Sequence, residues 1–145
     1  MTRTAKVLAA LAVVLVVAAA VIFGMRFFMS APDGLDLARS KATFNGLYMI
    51  AIEPEAEPLR QGPLHAWIVS VSTPDGQPVV DARLGVDGGM PQHGHGLPTR
   101  PEASDIGDGR YRVEGMRFNM GGWWVLKLAV EGPAGNDEAE FNLVL

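Results

Sequence analysis

The sequence predicts an all-β domain, an immunoglobulin-like β-sandwich of six or seven strands, behind an N-terminal transmembrane helix. Three observations carry that expectation. Residues 7–24 are an unbroken apolar run; beyond residue 43, short runs alternate apolar with polar residues; and Gly, Pro, Asn and Asp separate those runs. No useful stretch of helical period follows residue 30.

The apolar run, VLAALAVVLVVAAAVIFG, follows Arg3 and Lys6. Its 18 residues nearly cross a hydrocarbon core of about 30 Å at about 1.5 Å per residue. A removable signal carries a shorter apolar stretch and ends in a small-x-small cleavage site. Here the best cleavage point, after Ala31, has Met29 at the minus-three position. An uncleaved signal anchor over residues 1–30 is therefore expected, with the basic N-terminus inside and the remainder exported. Residues 31–42, rich in turn formers and charge, read as a tether to a domain over 43–145.

Strand expectations follow in order. Phe44 to Ile52 is aromatic and β-branched, and the acidic, Pro-containing stretch after it stops the run. His65 to Val71 is a second run, closed by Thr73-Pro74-Asp75-Gly76. Pro78 to Val86 gives a third, and Asp108-Gly109 opens a fourth, in which Tyr111 and Val113 share one face. Trp124, Leu126, Leu128 and Val130 alternate with Trp123, Lys127 and Glu131, which places Trp124 inward and Trp123 outward. Gly132 to Asp137 turns the chain, and Phe141, Leu143 and Leu145 close it.

Composition excludes several functions. Residues 31–145 hold 9 basic and 16 acidic groups, a formal charge of −7. Nucleic acid is an unsuitable partner for such a surface. There is no Cys, and hence no disulfide, thiolate ligand or Cys nucleophile. Nucleophile-elbow, phosphate-loop and dinucleotide motifs are missing too, which argues against an enzyme.

One loop breaks the strand pattern. Residues 88–98, GGMPQHGHGLP, concentrate four Gly, two Pro, one Met and two of the three His of the chain. Histidines two apart on extended backbone point to one side, about 6.6 Å apart at Cα, so His93 and His95 can converge on one ion. Met90, Met116 and Met120 are the nearby thioethers. Thioether favours Cu(I), and imidazole suits Cu(II) as well as zinc and nickel, so a His/Met set without thiolate points to copper as Cu(I) or Cu(II). On a straight strand Met116 and Met120 would lie about 13 Å apart. A bend at 119–122 would bring Met120 back, which makes it the better ligand of the two. His65, in an apolar run, reads as a hydrogen-bonded core histidine. The cupin pattern of His-x-His followed by Glu is not met, since Thr99 and Arg100 stand where the Glu would be.

Met90-Pro91-Gln92-His93-Gly94-His95-Gly96, Gly109-Arg110-Tyr111, Met116-Arg117-Phe118-Asn119-Met120 and Gly122-Trp123-Trp124 together resemble the FixH/YtkA-like family over roughly residues 43–145. The resemblance implies an immunoglobulin-like domain in the periplasm, anchored by a single pass in a bacterial cytoplasmic membrane. It also implies a role in assembly of, or copper supply to, a respiratory oxidase or a copper-transport complex of the membrane. Two functions are carried forward: a copper-binding or copper-delivery module using Met90, His93, His95, Met120 or Met116, and a metal-free assembly factor that docks through Trp123 or an edge strand.

Overall fold

The computed structural model describes residues 2–29 and 31–145, leaving out the side chains of residues 25–29. The chain divides into two units, residues 1–30 and 31–145. The first is a single helix, α1 (Arg3–Met29). Its Arg3–Gly24 portion is long and apolar enough to cross a membrane, with a mean hydropathy of 3.0.

The second unit is a sandwich of two antiparallel sheets. Its strands are β1 (Ser40–Ala42), β2 (Met49–Pro54), β3 (Leu64–Ser72), β4 (Arg83–Met90), β5 (His95–Gly96), β6 (Glu102–Gly107), β7 (Arg110–Arg117), β8 (Trp123–Gly132) and β9 (Gly135–Val144). One sheet runs β1-β2-β3-β7-β6 and the other β5-β4-β8-β9. The two inner faces supply the core: Ile50, Trp67, Val69 and Val113 from the first sheet meet Leu126, Leu128, Phe141 and Leu143 from the second. The expected sandwich is present, with nine strands in place of six or seven. The additional ones, β1, β5 and β6, are edge strands: β1 and β5 are too short for alternation to be read, and β6 is exposed along almost its whole length, so no buried face writes a period into it.

Three boundaries differ from the sequence expectation. Ser40–Ala42, at the end of the stretch read as a tether, pair with β2. Phe44 is exposed in a turn that precedes β2, because Asp137 gathers that turn. Its carboxylate accepts hydrogen bonds from the backbone N–H groups of Asn45 and Leu47 and from the Asn45 amide. The third run starts five residues late, at Arg83. Residues 78–82 instead carry the chain between sheets, with Val79 N–H bonded to the Val71 carbonyl and Asp81 at φ 60°.

A bulge in β7 sets what faces the core. Strict alternation would put Met116 outside with Arg112 and Glu114. The β3–β7 register instead jumps from Trp67↔Val113 to His65↔Met116. Gly115 absorbs the extra residue at φ 82°, a left-handed conformation that favours glycine. Met116 and Phe118 consequently turn inward and are fully buried.

Candidate metal-binding site

The registers bring all three histidines to one end of the sandwich. That end holds the start of β3, the finish of β7, the β4–β5 hairpin and the start of β8. The chain enters the sandwich there too, since Asn142 near the finish of β9 donates its amide N–H to the Asp36 carbonyl.

The Gly-rich loop is a hairpin. β4 continues through Gly88 and Gly89 to Met90, so Met90 is a strand residue and only 1% exposed. Glycine is required at 89 because a Cβ there would stand 2.6 Å from the His95 carbonyl oxygen. The Met90 carbonyl accepts from the N–H groups of both His93 (3.1 Å) and Gly94 (3.0 Å), which closes the turn. Gly94, at φ 66°, reverses the chain between the two histidines. His93 and His95 are thus on a turn and a strand, where extended backbone was expected. Their rings still meet, with centroids 5.9 Å apart and planes 25° from parallel.

His95 is half-buried and faces inward, as the cross-strand partner of Met90. Its Nδ1 lies 3.2 Å from the Gly96 carbonyl oxygen. A carbonyl only accepts, so in the neutral ring Nδ1 carries the proton and Nε2 the lone pair. His93 is exposed, and among the described residues its ring makes no hydrogen bond. A shared ion at a metal–nitrogen distance of about 2.0 Å places two imidazole centroids about 5–6 Å apart. The observed centroid spacing lies within that range, with the two rings stacked. Among the described residues no three His, Asp or Glu side chains come together, so imidazole and carboxylate alone do not complete a site.

Of the thioethers, Met120 is half-buried in the bend at 119–122 that the sequence led us to expect. The Trp124 indole N–H donates to its carbonyl at 3.0 Å. Met116 is different: it is fully buried on the other sheet, opposite His65, and fills the core. His65 is half-buried, with Nε2 donating to the Arg60 carbonyl at 2.8 Å, the hydrogen-bonded state anticipated for it. The rings of His93, His95, Trp124, Phe118 and His65 form an unbroken series of contacts from one sheet to the other, each step between 5.2 and 5.9 Å. The sequence placed Trp124 in the core correctly, but its contacts with His95 and Met120 were not legible; the only hint was the Gly121-Gly122 bend directly ahead of it. Trp123 faces outward as expected, half-buried, with its indole N–H donated to Asn142.

The YtkA-like family's sequence profile matches residues 45–129, more than half of the chain and all of the His hairpin. The chain belongs to the YtkA-like family. The motifs around His93, His95 and Trp124 had pointed the same way. No curated protein matches this YtkA-like chain. Among solved structures it is similar to a DUF4426 family protein from Pseudomonas aeruginosa PAO1, at 13% identity and a TM-score of 0.53, over 74% of this chain and 94% of that one. At that identity the likeness speaks for the fold alone.

Proposed function

We propose that this YtkA-like chain is a membrane-anchored, non-catalytic copper-binding module of the periplasm that delivers its ion to a membrane complex, a respiratory oxidase or a copper transporter. The observation that carries the reading is the His93–His95 pair: two rings 5.9 Å apart at the tip of a hairpin. One nitrogen of His95 is held by a carbonyl and the other is left free. Met90 lies directly across the strand pair from His95, and the Met120 carbonyl accepts from the indole of Trp124, whose ring meets His95. Two imidazoles with neutral sulfur suit copper better than zinc, which prefers four nitrogen, oxygen or thiolate ligands. Met116 belongs to the packing and is left out of the ligand set. An exposed His93 gives an acceptor access to the ion without opening of the core. The helix α1 serves as the anchor in this reading.

The test is a copper titration of the detergent-solubilised full chain and of a His93→Ala/His95→Ala variant, with Cu(I) and Cu(II) each buffered by a competing chelator. Loss of affinity by about a hundredfold or more is expected for the variant. Unchanged affinity ends the proposal. The metal-free docking role has weaker support, because the Trp123 indole is already bonded to Asn142.

A further inference from the structure

At the hairpin end Trp124 touches His95, Phe118 and Met120. It is 1% exposed. Its ring meets that of His95 edge-on, with centroids 5.8 Å apart and planes 68° from parallel, and meets that of Phe118 at 5.2 Å. Its N–H is spent on the carbonyl of Met120. The bend that carries Met120 is held on its flanks by a pair of backbone bonds between Gly122 and Leu145, and by the Gln61 amide on the Asn119 carbonyl. At Met120 itself, the indole bond is what fixes the backbone.

Imidazole accepts either oxidation state of copper, whereas thioether adds strength chiefly to the reduced one. A group that holds the Met120 backbone beside the indole against which His95 rests therefore governs the balance between the two states. We propose that Trp124 is a positioning residue which makes the hairpin site selective for Cu(I), by keeping Met120 beside His95. The inference rests on the copper reading above and adds to it a named determinant of oxidation-state preference.

Trp124→Phe is the informative variant, since it keeps an aromatic ring against His95 and Phe118 but removes the N–H. In the detergent-solubilised full chain, Cu(I) affinity is expected to fall about tenfold with Cu(II) affinity within about twofold of the parent, which lowers the potential of bound copper by about 59 mV. Met120→Leu should give the same loss, and the double variant no more than either alone. An unchanged Cu(I) affinity, an equal loss for both ions, or additive losses would overturn the inference.

A second measurement needs no variant. In the parent protein labelled with nitrogen-15, Cu(I) should displace the indole N–H resonance of Trp124 and leave that of Trp67 in place. A Trp124 resonance unmoved at saturation would also overturn it. The two levels of failure separate cleanly. His-independent copper binding removes the copper reading itself, whereas His-dependent binding with parental selectivity in Trp124→Phe removes only the role of Trp124.

Discussion

The two ends of the sandwich spend their polar groups in opposite ways. At the end formed by the β8–β9 hairpin and the 43–48 turn, Asp137 is buried and its carboxylate collects the N–H groups of Asn45, Leu47 and Glu138. The Tyr48 hydroxyl there donates to the Gly135 carbonyl and accepts from Ala134 N–H. At the histidine end, His95 commits one ring nitrogen and, among the described residues, His93 commits neither. A fully satisfied polar cluster fixes a turn, and ring nitrogens left available at a rigid tip leave something for a ligand to bind. The difference teaches where to look for function: the network around Asp137 marks a strut, and the ring nitrogens left available on His93 and His95 mark the candidate site.

Substitutions can break or sharpen that contrast. The largest effect on stability is expected from Met116→Ala, about 2–5 kcal/mol by denaturant unfolding, because it empties a fully enclosed position. On the proposed copper reading, affinity for the ion should stay at the parental level, which would separate Met116 as core from the proposed ligands. Gly115→Ala comes next, at about 1–2 kcal/mol, since alanine is strained at φ 82° while the space around the new Cβ is ample.

Asp137 gives a pH-dependent effect. Burial raises the pKa of its carboxyl, but the neighbouring Thr43 hydroxyl and the hydrogen bonds from the N–H groups of Glu138, Asn45 and Leu47 outweigh this and hold it at about 2, below the usual 3.8. The depressed value means that the contribution is complete above about pH 4 and is lost as the pH falls towards 2. Melting temperatures should drop across that window in the parent and depend less on pH in Asp137→Asn. The smallest effect belongs to the histidine tip: His93→Ala should change stability by no more than about 0.5 kcal/mol. A large destabilisation there would mean that the tip is a second strut, and the contrast between the ends would collapse.

Much of the fold was readable because burial on one face of a strand writes itself into the sequence with period two. The run Trp124, Leu126, Leu128, Val130 reports β8 directly, and all four residues are buried. What escaped was set by distant partners. Nothing local in Asp137 announces that it closes a turn some ninety residues earlier, since its own neighbourhood reads as an ordinary loop. The bulge at Gly115 hides behind a glycine that would also suit a plain turn. At the site, the residue types and the pairing of His93 with His95 were legible, as was the bend at 119–122. The hairpin geometry was not, because an alternating His-Gly-His-Gly stretch fits extended backbone and a tight turn equally well. The indole bond to Met120 was hidden for the same reason: alternation tells which side a tryptophan faces, and stays silent on what its N–H reaches.

The irregularity at Gly115 also constrains how this chain can change in length. A strand is a counter with two states: losing the bulged Gly115 would restore strict alternation and keep Met116 and Phe118 inside, whereas gaining one residue within 110–117 without a second bulge would send both to water and Arg117 to the interior. The 73–77 turn carries no such parity, and residues can be gained or lost there without exchanging inside for outside. Drift in length should therefore accumulate in such turns and spare β7, whatever happens to its individual side chains.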